Sequence, residues 1–180
     1  MLVKIDSAAI LGIEAYRVDV EIDSQKRLPG QSIVGLPDAS VRESRDRVRA
    51  AIENSGFEFP AGYFTINLAP ADTKKEGPLY DLPIALGMLS VSEQIGQKNL
   101  GETVILGELS LDGSVRGVNG VLPICMSLKK AGLTTVIVPK PNADEAALVE
   151  GLDVLAVATL CEAAEHISGK KIITPHKIDL

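Results

Sequence analysis

The chain has 180 residues and a mass of 19.0 kDa, room for one domain or two small ones. At that length it buries roughly 70% of its unfolded surface and needs no disulfide staple. Its 46% apolar content excludes disorder. Its 3% aromatic content, without Trp, excludes a stacking platform for single-stranded bases, and its net charge of −6 excludes a generally basic polyanion binder.

Cys125, Cys161, His166 and His176 make no zinc spacing, and two cysteines without a pairing pattern point to a reduced, cytoplasmic setting. The opening Met1-Leu2-Val3-Lys4-Ile5-Asp6 has neither the basic nor the apolar region of a signal peptide. No apolar run approaches the roughly 20 residues of a membrane span.

In chain order, residues 2–11 carry a loose strand pattern that ends in a turn at Leu11-Gly12-Ile13. Val18, Val20 and Ile22 then alternate with Asp19, Glu21 and Asp23 as a second strand. Leu28-Pro29-Gly30 breaks the chain, and Ser32-Ile33-Val34 is a short third strand. Asp38 is placed to cap a helix from Ala39 to Ser55, ended by Gly56. Tyr63–Leu68 is the next strand. Asp81 is expected to cap a helix to Ile95, with Pro83 in its first turn. Thr103–Leu106 reads as a strand, and Glu108–Leu111 as its continuation or hairpin partner. A helix over Val121–Ala131, a strand over Thr135–Val138, a helix capped by Asn142 and running to Glu150, a strand over Asp153–Val157 and a helix over Leu160–Ser168 complete the pattern. Interleaving of this kind predicts an α/β, two-layer α+β, domain over residues 1–168 with helices packed on a mixed sheet. Residues 169–180 read as a linker, as if the domain were part of a longer chain.

The chemistry is mostly exclusion. A phosphate loop needs Gly-x4-Gly-Lys-[Ser/Thr]. The Gly169-Lys170 pair is followed by Lys171, with Ala164 where the first glycine belongs. Gly113–Gly120 is glycine-rich but reads as a turn. No serine sits in a Gly-x-Ser-x-Gly elbow. His166, near a helix end, is expected to meet terminal carbonyls, and His176 falls in the linker. The loop from Asn67 to Pro83, with its prolines and clustered charges, is the most unusual stretch. Arg42, Arg45 and Arg49 share one stripe of the first helix, where Glu43 faces Arg47 and Arg42 faces Asp46. That stripe, with Lys74 and Lys75, is the candidate contact face for DNA or a neighbouring subunit, against the alternative of a solvated, salt-bridged helix face.

Several motifs carry a family resemblance: Val34-Gly35-Leu36-Pro37-Asp38, the run Glu43 to Ile52, Gly56-Phe57-x-Phe59-Pro60, and Asn67-Leu68-Ala69-Pro70-Ala71-Asp72. Lys75-Glu76-Gly77, Asp81-Leu82-Pro83-Ile84-Ala85-Leu86 and Leu106-Gly107-Glu108-Leu109 continue them. Together they resemble the opening domain of the YifB/ComM proteins, AAA+ ATPases described as magnesium chelatase-like. The resemblance implies a Lon protease-like fold. It also implies a following ATPase module that binds ATP and magnesium, and a ring-forming DNA helicase acting in recombination or natural transformation. No cofactor is expected within residues 1–180 themselves, and the implied partners are that module, neighbouring ring subunits and DNA, with no membrane.

Lon-type peptidases place a nucleophilic Ser directly after Gly-Pro, and Gly77-Pro78 is followed here by Leu79. Their Lys base lies fifteen residues after the Gly that opens a Gly-Glu-x-[Ser/Thr]-Leu-x-Gly run. From Gly107 that position is Leu122. Two leucines supply neither nucleophile nor base, so a non-catalytic module is expected rather than an enzyme. The alternatives are a degenerate Lon-type peptidase and a metal-inserting chelatase subunit, for which Asp72, Glu76 and Asp81 are the nearest carboxylates.

Overall fold

The computed structural model describes residues 1–179. Two long antiparallel strands, β1 (Leu2–Leu11) and β2 (Glu14–Gln25), form a hairpin turned at Gly12. β2 pairs antiparallel with β4 (Tyr63–Ala69), and β4 pairs parallel with β3 (Gly30–Val34). On the other side, β1 pairs parallel with β5 (Thr103–Ile105), followed by β8 (Thr135–Pro139) and β9 (Asp153–Val157), also parallel. The result is one mixed seven-stranded sheet in the order β3-β4-β2-β1-β5-β8-β9. A separate hairpin joins β6 (Glu108–Leu109) to β7 (Val115–Arg116), so Glu108–Leu111 opens a hairpin of its own and does not extend β5.

The two halves of the sheet differ in sequence for a physical reason. β4 alternates half-buried and buried residues, with Phe64, Ile66 and Leu68 inward, because only one of its faces is covered. In β8, Val136, Ile137, Val138 and Pro139 are all buried, as a parallel strand between covered faces requires.

Helix α1 (Ala39–Asn54) begins where Asp38 Oδ1 accepts the Val41 N–H at 2.8 Å, the expected cap. α2 (Asp81–Val91) is buried on every side and packs on β1 and β2. It stops short of Ile95 because the Ser92 hydroxyl donates to the Met88 and Leu89 carbonyls and Glu93 turns left-handed, at φ 62°. Asp81 is not its cap. It is the first helical residue, and its carboxylate turns inward. α3 (Val121–Lys130) and α5 (Leu160–Ser168) lie where expected, α5 capped by Thr159 and ended by Gly169. α4 is only Ala143–Ala147, and Asn142 does not cap it. The Asn142 amide instead bonds Val118 N–H, Val118 C=O and Glu145. Among the described residues no helix is long and apolar enough to cross a membrane.

The segment after α5 has no regular secondary structure but lies against the domain. The Ile173 N–H donates to His166 Nδ1 at 3.0 Å, and the His176 N–H donates to the Val154 carbonyl of β9 at 2.7 Å. His176 Nε2 also meets Asp144 at 2.7 Å. His166 therefore serves this segment as an acceptor, not the helix-end carbonyls it was expected to meet, and burial lowers its pKa.

Candidate functional site

The connection from β3 to α1 and the loop after β4 are stitched together at Lys75. Its N–H donates to the Leu36 carbonyl, its own carbonyl accepts from the Asp38 N–H, both at 2.9 Å, and the two segments run parallel there. Its side chain is wholly buried. The ammonium donates to the carbonyls of Gly35 at 2.9 Å, Thr73 at 2.5 Å and Pro70. Burial lowers the Lys75 pKa, partly offset by Asp72. Lys75 therefore cannot present charge to an external partner, which corrects the reading of it as a contact residue. An ammonium already spent on three carbonyls stays inside. Gly35 is required by the neighbouring strand: at φ 102°, a Cβ there would lie 2.1 Å from the Leu68 carbonyl oxygen of β4.

This stitch holds the Gly77–Tyr80 turn at the mouth of a cleft of about 460 Å³. Asp38 reaches across with its second oxygen to accept the Gly77 N–H at 3.2 Å. Leu79 lines the cleft and is nearly buried. Ala9 and Ile10 of β1 form part of its wall, and Gly117-Val118-Asn119 form the opposite lip. α3 begins just beyond that lip, with Leu122 half-buried in its first turn. Of the two positions that the Lon resemblance assigns to Ser and Lys, Leu79 lines the cleft and Leu122 lies in the first turn of the helix that follows its lip, and both are hydrocarbon. The charged lining consists of Asp38, already bonded twice, a surface Lys74–Glu76 pair at 3.7 Å, and Glu108. Behind Leu79, Tyr80 is buried, its hydroxyl has no partner among the described residues, and burial raises its pKa. Such a cleft can hold an apolar or extended group, but its lining contains no activated nucleophile. Among the described residues no group of three His, Cys, Asp or Glu side chains could hold a metal ion, and Asp72, Glu76 and Asp81 are not brought together as one.

Asp81 has a different role. Arg47 Nε meets its Oδ2 at 2.7 Å and Arg47 Nη2 meets Oδ1 at 3.1 Å, while the Leu109 N–H donates to Oδ2 at 3.1 Å. The pair ties α1, α2 and β6. Burial pushes the Asp81 carboxyl up, although Arg47 and the Leu109 N–H pull the other way. Sequence reasoning placed Arg47 on the surface opposite Glu43, and that contact exists at 3.6 Å. The missed signal was Asp81 at the head of a helix apolar on all sides, where a carboxylate must find a cation.

Arg42, Arg45 and Arg49 are exposed on the outer face of α1, as the stripe predicts. Arg49 pairs with Glu53 at 3.0 Å and lies 4.5 Å over the Phe59 ring. Among the described residues Arg42 and Arg45 meet no carboxylate, and the expected Arg42–Asp46 pair does not form. Lys74 is also exposed. It lines the cleft with Asp38, whereas Arg45 and Arg49 line a separate groove and Lys75 is buried, so the five candidates do not make one face.

Residues 20–142 match the family model for subunit ChlI of Mg-chelatase. The protein YifB of Escherichia coli is 45% identical over 92% of this chain and 33% of its own length. The competence protein ComM of Haemophilus influenzae is 39% identical over 92% of the chain and 32% of its own length. Lon protease 2 of Bacillus subtilis is 31% identical over 90% of the chain and 31% of its own length. The chain thus spans about a third of the length of the relatives it matches.

Proposed function

The chain belongs to the YifB/ComM proteins, within the family of the ChlI subunit of Mg-chelatase, and from that premise we propose that it is the non-catalytic opening domain of a cytoplasmic, ring-forming AAA+ ATPase. Its task is to help the ring assemble and engage DNA during recombination or natural transformation. The name of the Haemophilus relative, a competence protein, supports the second half of this reading. The observation that carries the first half is leucine at both position 79 and position 122. The likeness to Lon protease extends over most of the chain, yet the two positions that would perform acyl transfer have no atom able to attack or to take a proton.

ATP and magnesium belong to a further module. Gly169 closes α5 in the left-handed conformation and is followed by irregular chain. A triphosphate needs a loop that opens a helix, so its N–H groups point at the phosphates. When bound in that module, ATP supplies the energy for moving DNA. Residues 1–179 contribute contact surface, for which exposed Arg42, Arg45 and Arg49 are the candidates.

The test is the full-length protein with all three arginines replaced by Ala. Only an exposed i,i+4 pair and one ring contact are lost from the fold, so the melting temperature should move by no more than about 2–4 °C. Ring assembly or DNA binding should fall. A variant that keeps its oligomer size and DNA affinity would reduce the stripe to a solvated face.

A further inference from the structure

The two edges of the seven-stranded sheet are treated differently. Along β9, the His176 N–H bonds the Val154 carbonyl, so the following segment shields that edge. β3, at the other end, pairs inward with β4 in the register Gly30↔Tyr63 to Val34↔Asn67, and among the described residues nothing pairs with its outer side. Sheet edges are normally blunted by Lys, Pro, inward charges or bulges. β3 reads Gly-Gln-Ser-Ile-Val, with none of these, and Val34 and Leu36 beside it are exposed apolar side chains.

A groove of about 480 Å³ opens at the start of this strand, between Gly30 and Gln31 of β3, Arg45 and Arg49 of α1, and Phe59 and Gly62 before β4. Its one acidic lining residue is Asp46. Cations stand on both sides of the edge. Arg45 and Arg49 are on the helix side, and the Arg27 guanidinium lies 3.8 Å over the ring of Tyr63, the residue paired with Gly30. The Tyr63 hydroxyl registers both cations: its pKa is lowered, first by Ser32 and then by Arg27 and Arg45. On the floor, the Gln31 amide nitrogen bonds nothing among the described residues, a cost that a carbonyl or carboxylate in the groove would relieve.

We propose that the outer edge of β3 receives an extended, acidic segment of a partner protein, which adds as a further strand and sets its carboxylates against Arg27, Arg45 and Arg49. An added strand points alternate side chains to opposite faces, so acidic residues on one face meet the α1 arginines and those on the other meet Arg27. The bond with Glu53 at the exposed rim is a weak competitor for Arg49. A second copy of this chain fits poorly. Pairing two β3 edges about a twofold axis would bring the arginines of both α1 helices together, and facing like charges destabilise such a contact. The argument stands on the edge and its cations and does not depend on the DNA reading.

The test uses a fluorescent peptide about eight residues long in which Glu-Glu and Val-Val pairs alternate, so that both strand faces carry carboxylates, and long enough to overrun the five residues of β3. It should bind saturably at low salt and shift the backbone amide resonances of Gly30–Val34. Arg45→Glu should weaken binding about tenfold or more and leave the melting temperature unchanged, since Arg45 is exposed. N-methylating alternate peptide bonds, which removes ladder donors, should abolish binding. Absence of saturable binding would overturn the proposal. So would binding indifferent to N-methylation, which would mean charge attraction without strand addition. A single-stranded oligonucleotide that displaces the peptide while shifting the same amides would assign the groove to phosphate. Concentration-dependent shifts of β3 without peptide would assign the edge to a second copy.

Discussion

Lys75 and His166 show how single buried polar side chains hold irregular backbone in this molecule. The Lys75 ammonium satisfies three carbonyls that no secondary structure reaches, those of Gly35, Pro70 and Thr73. Lys75→Met keeps the volume but leaves the Gly35 and Thr73 carbonyls without a partner and the Pro70 carbonyl with only the Thr73 hydroxyl at 3.4 Å. It should cost about 1–3 kcal/mol, read as a drop of roughly 2–4 °C in melting temperature per kcal/mol. His166 holds the segment after α5 through Nδ1, which accepts the Ile173 N–H and so must be unprotonated, with the proton on Nε2. Its folded-state pKa is lowered by burial, so the unfolded chain takes up a proton more readily than the folded one. The stabilisation is therefore complete above the unfolded value of about 6.5 and is lost as pH falls through the folded value. The protection factor of the Ile173 amide, the exchange rate taken relative to its intrinsic pH-dependent rate, should fall over that acidic range, and His166→Gln should flatten the part of the pH–stability curve that His166 causes.

Among the elements, the junction of α1, α2 and β6 rests on the Arg47–Asp81 pair. Removing one partner of a buried ion pair strands the other, so Arg47→Ala should cost about 3–5 kcal/mol, measured by denaturant unfolding. The pair itself is not a large net gain, because burial pushes the Asp81 carboxyl up even with Arg47 in place. Its value is positional: it fixes the start of α2 directly after the Leu79 turn and beside Glu108, both at the cleft. Arg47→Ala should accordingly disturb the turn as well as the core. Nuclear magnetic resonance shifts at Gly77 and Leu79 would report that.

For the molecule as a whole, leucine at both positions that the Lon resemblance assigns to Ser and Lys predicts no peptidase turnover. The chain purified to homogeneity should leave unfolded casein intact. Titration calorimetry with ATP and magnesium should give no saturable heat, since no phosphate loop opens a helix among the described residues. Cleavage abolished by mutating a serine of this chain would overturn the first expectation. Micromolar ATP binding would overturn the second and direct attention to the Gly113–Gly120 turn.

The local, periodic features of the fold were legible in the sequence. The alternation of Val18, Val20 and Ile22, the Asp38 cap and the outward stripe of Arg42, Arg45 and Arg49 follow from repeats of two and of 3.6 residues and from helix-end chemistry. That Leu79 and Leu122 can neither attack nor take a proton was legible too, because a side chain's lack of a nucleophilic or basic atom is a property of the residue itself. What the tertiary structure alone decided is the fate of the charges. Lys74 and Lys75 are adjacent and chemically alike, yet one is exposed and the other lies inside, because only Lys75 is drawn in by backbone pairing with Leu36 and Asp38. Arg47 read only as the i,i+4 partner of Glu43, and packing set it against Asp81, thirty-four residues away. The open edge of β3 is likewise a matter of strand order, which depends on contacts between distant segments and leaves no periodic trace in the chain.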